Sequence, residues 1–152
     1  MALSGLSSAV SAAGVLISRA DGRTLLVQTH HRRGLVLPGG MVEEGESPAR
    51  AAEREVREEL GLEVRVTRLL AVQHKPAGDH TPERFLFDFD CPRFAATPLL
   101  RLQAEEIAEA VWLPEDEAVE RHVETGRARL RAAFAARRSG STAYVDGERV
   151  LT

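Results

Sequence analysis

Gly40-Met-Val-Glu-Glu-Gly-Glu46-Ser47-Pro48-Ala-Arg-Ala-Ala-Glu-Arg54-Glu55-Val56-Arg-Glu58-Glu59-Leu60-Gly61-Leu62 is the stretch whose reading decides the fold. Ser47 is a favoured helix N-cap and Pro48 is tolerated at the first helical position, so a helix opens there. Gly61 closes it, because the residue after a helix often needs a left-handed backbone that glycine adopts cheaply. Between them Ala49, Ala52, Val56 and Leu60 recur at three- and four-residue intervals and build one apolar stripe. Glu55, Glu58 and Glu59 share the same spacing and gather on an adjoining face. Three crowded carboxylates repel one another unless a cation sits among them. Hard oxygen ligands of this kind suit Mg2+ or Mn2+, taken up together with substrate phosphates.

Acidic clusters on helices are ordinarily solvated faces. The loop in front of this one, Leu37-Pro38-Gly39-Gly40, argues for more, since adjacent glycines permit a tight turn and close backbone approach to a ligand. The full pattern is Gly-x5-Glu-x7-Arg-Glu-Φ-x-Glu-Glu-x-Gly-Φ, where Φ is aliphatic, and it resembles the signature of the Nudix hydrolase family. That resemblance implies an α/β fold, a Nudix-type α/β/α sandwich with a mixed β-sheet. It also implies Mg2+-dependent hydrolysis of a diphosphate linked to another group, with Mn2+ as a substitute ion. The metal set it implies is Glu55 and Glu59 as principal ligands, Glu58 as the third, and the carbonyl of Gly39. Arg54 is implied to pair with Glu46 and brace the loop against the helix.

A further carboxylate often completes such sites as a metal ligand or as the base that activates water. Glu105, Glu106 and Glu109 lie ahead of Trp112, and the spacing seen in relatives selects Glu106. The alternative, that all three are surface charges, stays open. The expected catalytic set is therefore Glu58, Glu59, Arg54 and Glu106. For the substrate, Gly39, Gly40, Arg32 and Arg33 lie at one rim and Arg84 at the other, in the company of His30, His31, His74, Lys75 and His80. Arginine is a good bidentate phosphate partner. Nearly every basic residue here is arginine, however, with Lys75 the only lysine, which weakens any single Arg as a phosphate marker. The family's Trp before Pro-Gly-Gly is replaced by Leu35. Pro76 lies close to where ADP-ribose hydrolases carry a proline, and a MutT-like triphosphate hydrolase fits the chain's size.

The 152 residues, 43% of them apolar, suit one domain over residues 1–138, followed by a tail at 139–152 that could fold as a short hairpin around Asp146-Gly147. A net charge of −3 gives no reason to expect a nucleic-acid duplex as partner; the expected partner is a small diphosphate compound. A single cysteine, Cys91, excludes an internal disulfide framework. No apolar run is long enough for a membrane span and the N-terminus lacks the charged start of a secretory signal, so a cytoplasmic location is expected. Family members are often dimers, although no residue here demands a homodimer.

Elsewhere, Val15–Ser18 and Thr24–Gln28 flank Asp21-Gly22 and predict an antiparallel pair. A strand is expected from just after Gly61 through Val72, another at Arg84–Asp90, and a short buried one at Ala110–Leu113. Pro114–Arg138 predicts a helix with a break near Gly126. Two rival functions remain: a nucleotide-sensing module on the same fold without turnover, and a prenyl-diphosphate isomerase using Cys91.

Overall fold

The computed structural model describes residues 4–151. Eight strands and three helices follow one another as β1 (Val10–Leu16), β2 (Thr24–Thr29), β3 (Gly39–Met41), α1 (Pro48–Leu60), β4 (Arg68–Lys75), β5 (Arg84–Asp90), β6 (Ile107–Leu113), α2 (Glu115–Arg121), α3 (Arg127–Ser139), β7 (Ala143–Asp146) and β8 (Arg149–Leu151). Six strands form one mixed sheet in the order β3-β1-β5-β4-β7-β8, and β2 pairs with β6 in a separate antiparallel ribbon. Parallel pairing occurs between β1 and β5 and between β4 and β7.

Two apolar layers explain the architecture. Val15 and Ile17 join Leu25 and Val27 beneath Ala51, Ala52, Val56 and Leu60 of α1. Leu16 and Leu26, one residue out of step, face the opposite way and pack with Leu130, Ala133 and Phe134 of α3. Strands buried on both faces read as continuous apolar runs, as Gly14-Val-Leu-Ile17 and Leu25-Leu-Val27 do. The result is a sandwich of α1, strands, and α2 with α3. Each fully buried Val or Leu in it contributes about 1.5–3 kcal/mol.

Helix α1 has the expected ends. The Ser47 hydroxyl accepts from the Arg50 amide at 3.2 Å, and Gly61 adopts φ 67°. Its buried stripe contains Ala51 as well as Ala52, Val56 and Leu60, and it also takes in Glu59.

Elsewhere the pairing differs from the sequence expectation in instructive ways. The turn at Asp21-Gly22 forms, with the Arg19 amide donating to the Arg23 carbonyl at 2.9 Å, but β1 and β2 then diverge into different sheets. Residues 61–67 form no strand. Val64 and Val66 instead pack against α1, and the Val66 amide donates to the Glu53 carboxylate at 3.1 Å. The break near Gly126 is real: α2 ends at Arg121, and a single 3-10 turn, Glu124–Gly126, leads into α3. A Cβ on Gly126 would lie 2.3 Å from the His122 ring, so close packing fixes glycine there. Asp146-Gly147 turns as the sequence suggests, and β7 runs parallel beside β4, so residues 143–151 extend the main sheet.

The face of β5 opposite its phenylalanines holds a buried ion pair. Phe87 and Phe89 pack towards α1, whereas Asp88 is 3% exposed and accepts from Arg129 Nε of α3 at 2.9 Å. Arg129 Nη1 donates to the Gln73 carbonyl oxygen, so the polar groups pair within the core.

Candidate active site

The Gly39–Gly40 turn enters β3, which pairs with β1 at Gly14↔Gly39 and Ala13↔Gly40. Both glycines are sterically required, for different reasons. A Cβ on Gly39 would lie 2.1 Å from the Ala13 carbonyl oxygen, and one on Gly40 would lie 2.5 Å from the Glu55 carboxyl carbon. Gly39 is thus pinned by backbone, Gly40 by a movable side chain. Gly39→Ala is expected to destabilise the protein by about 2–3 kcal/mol through backbone displacement. Gly40→Ala should keep its melting temperature but lose roughly tenfold or more in hydrolytic rate, because Glu55 is pushed aside. Thermal melts and initial rates on both variants check the contrast.

Arg54 organises the carboxylates. Its Nε and Nη2 donate to the two oxygens of Glu46 at 2.7 and 3.0 Å, which holds the Glu46 carboxyl down at about 2. Nη2 also donates to the Met41 carbonyl at 3.0 Å, tying the loop to the helix. Nη1 reaches Glu55 at 3.0 Å and Glu58 at 3.2 Å. Glu59 lies deeper, 7% exposed, and accepts from the Gly39 amide at 3.3 Å. Burial, then repulsion from Glu55, pushes the Glu59 carboxyl up to about 8, and burial also raises Glu55. A cation among them would relieve both.

The donor chemistry fits a hard divalent ion. The three carboxylates are not drawn into a closed ring. Among the described residues no three His, Cys, Asp or Glu side chains converge on one point, and Arg54 holds Glu55 and Glu58 with its own charge. Glu106 lines the same cleft and adds to the charge felt by Glu59, with His31 Nε2 at 3.7 Å from its carboxylate. Glu105 and Glu109 do not line it. The Gln103 amide donates to the Glu59 carbonyl at 2.9 Å and the Arg101 amide to that of Leu60 at 2.8 Å. These bonds satisfy open carbonyls at the end of α1 and dock the Glu106 loop beside the helix.

The cleft encloses about 500 Å³. Arg32, Gly39, Gly40, Arg54, Glu55, Glu58, Glu59 and Glu106 line it, whereas Arg33 and Arg84 do not. Arg84 Nη1 instead donates to the Pro82 carbonyl at 3.3 Å. The wall also holds Lys75, expected at the rim in the company of Arg84, and Gln103, Thr125 and Arg129, which the sequence reading left out of the site. Arg129 could have been suspected as a charge set among the apolar residues of α3. Cys91 lies outside the cleft, and burial pushes its thiol up to about 11.

An α/β/α sandwich presenting a Glu-rich helix and a double-glycine turn to one cleft is the architecture of a Nudix domain. The NUDIX domain model matches residues 9–134, and the chain belongs to that family. It is 33% identical over 104 residues to the NAD-capped RNA hydrolase NudC of Citrobacter koseri, covering 68% of this chain and 38% of that protein. It is 30% identical over 113 residues to the CMP-5'-(N-acetyl-N-hydroxy-3-aminopropyl)phosphonate hydrolase of Streptomyces rubellomurinus, covering 71% and 53%. The matches span about two fifths to half of these relatives' lengths. Among solved structures, the E. coli ORF135 protein superposes with a TM-score of 0.71 at 27% identity, covering 88% of this chain and 94% of that one. No helix among the described residues is long and apolar enough to cross a membrane.

Proposed function

We propose that the protein is a divalent-metal-dependent hydrolase that cleaves the diphosphate linkage of a nucleoside diphosphate joined to another group, or of a nucleoside triphosphate. The observation that carries this is the buried Glu59 beside Glu55 and Glu58 in one cleft with the Gly39–Gly40 turn. Family membership and relatives named as hydrolases of nucleotide-derived compounds support it.

Glu55 and Glu59, with Glu58, would hold Mg2+ or Mn2+. When bound, such an ion neutralises phosphoryl charge and makes water a better nucleophile. The chain's own groups supply the rest. Gly39 and Gly40 let a diphosphate approach the backbone closely. Arg54 keeps the Glu46 loop and the helix in fixed register. Glu106, on the open side of the cleft, accepts the proton of the attacking water. Arg32 offers a charge-assisted contact to a phosphate.

The test is turnover of nucleoside triphosphates, ADP-ribose, nucleotide sugars and dinucleoside polyphosphates, with Mg2+ and with chelator. Turnover of one class, abolished by chelator, is the expected result. Binding without turnover across the whole panel would overturn the reading and leave the sensor module. The isomerase alternative has no support in the position of Cys91, which is 4% exposed and away from the cleft.

The base is tested separately. Glu106→Gln should remove the rise of rate with pH that a general base imposes and slow the reaction roughly a hundredfold or more, while Glu105→Gln leaves both unchanged. Identical pH–rate profiles for wild type and Glu106→Gln would remove Glu106 from the mechanism.

A further inference from the structure

Glu106 sits on a turn rather than in a helix or strand, so its place over the cleft depends on what holds that turn. Residues 104–106 form it, and the Glu106 amide closes it by donating to the Gln103 carbonyl at 3.0 Å. One side is tied to α1, where the Gln103 amide donates to the Glu59 carbonyl at 2.9 Å. The other side is tied to the end of β2 through His30. The His30 amide donates to the Glu106 carbonyl at 3.1 Å, and the ring Nε2 bonds the Ala104 carbonyl at 2.8 Å. A carbonyl only accepts, so Nε2 carries a proton there whether the ring is neutral or charged. His30 does not line the cleft, although Thr29, His31 and Arg32 on either side of it do.

The β2–β6 ribbon brings His30 and Glu106 level by a bulge. Gln28 pairs with Glu109 and Thr29 with Ile107, so Ala108 is passed over. In an unbroken ladder His30 would stand opposite Ile107, and Glu106 would fall opposite His31. Bulges beside active sites re-aim side chains in this way. His31 Nε2 also comes within 3.7 Å of the Glu106 carboxylate, but both side chains are exposed and such a pair holds little by itself. We propose that His30 is a positioning residue, whose ring clamps the 104–106 turn to β2 and thereby holds the Glu106 carboxylate over the cleft. The inference rests on reading Glu106 as the group that takes the proton of the attacking water. It assigns His30 to that turn instead of to the substrate.

The experiment compares wild type, His30→Ala and His30→Gln as full chains, first by amide hydrogen exchange without metal or substrate. The glutamine amide extends about as far as the ring Nε2 and donates to the same carbonyl. The Glu106 and Ile107 amides, both bonded to the Gln103 carbonyl, should exchange up to about tenfold faster in His30→Ala, roughly the weight of one hydrogen bond. His30→Gln should restore them, and the amides of α1 should not change in either variant. Unchanged exchange in His30→Ala would overturn the inference, as would an acceleration shared equally by α1, which marks a general loss of stability. The second readout is Mg2+-dependent turnover of ADP-ribose and dGTP. Here His30→Ala should lower kcat about tenfold at unchanged KM, His30→Gln should recover it, and His30→Ala should cost nothing further in a Glu106→Gln background. A raised KM, or losses that add in full, would contradict the assignment. Full activity in Glu106→Gln alone would sink the base itself, a result the exchange data tell apart, because they read the clamp even when neither compound is hydrolysed.

Discussion

Glu59→Gln is expected to lower metal-dependent hydrolysis about a thousandfold, because losing one ligand of a charge-stabilising ion forfeits several kcal/mol of transition-state stabilisation. The fold should survive, since the glutamine oxygen can still accept from the Gly39 amide. Stability separates this variant from a merely damaged one. In the metal-free protein the Glu59 carboxyl is raised from an ordinary value of 4.5 to about 8 by burial and by Glu55. A raised carboxyl binds its proton more tightly when folded, so its contribution is present at low pH and is lost as pH climbs through that window. The loss is on the order of 3–5 kcal/mol between those limits. Denaturant titrations in chelator at pH 5 and pH 8 should show this decline in wild type and a much flatter response in Glu59→Gln. A variant that keeps full activity would remove Glu59 from the site.

The second large effect is structural. Arg129→Met removes the cation from a pair in which Asp88 is 3% exposed and Gln73 fully buried. Breaking a buried pair from one side leaves an uncompensated charge, at a cost of about 3–5 kcal/mol. The Coulombic attraction itself matters less than the desolvated carboxylate left behind. Adding Asp88→Asn to Arg129→Met should therefore recover most of the loss. Urea unfolding of the single and double variants measures it, and a single variant within 1 kcal/mol of wild type would contradict the account of this pair.

Much of the site can be read directly from residues 39–62, because it is local. One helix with caps at Ser47 and Gly61 sets the spacing of Glu55, Glu58 and Glu59, and Arg54 reaches Glu46 only eight residues away. Long-range placement is a different matter. The docking of Glu106 depends on amides of Arg101 and Gln103 meeting the end of α1, which no periodicity announces. Arg32 and Arg33 are adjacent in sequence and equal in chemistry, yet only Arg32 lines the cleft. Lys75 of β4 and Arg129 of α3 are more than fifty residues apart and share the cleft only once the sheet has formed. The strands at the chain's end show the same limit. Asp146-Gly147 signals a turn, but that β7 pairs in parallel with β4 follows from the sheet and not from the turn.

The most direct test of the central claim is an electron paramagnetic resonance titration of Mn2+ into wild type and Glu59→Gln. The account predicts that wild type removes Mn2+ from the free signal, that added Mg2+ restores it, and that Glu59→Gln binds far more weakly. Equal binding by the two proteins would contradict the claim that the buried carboxylate of α1 forms the metal site.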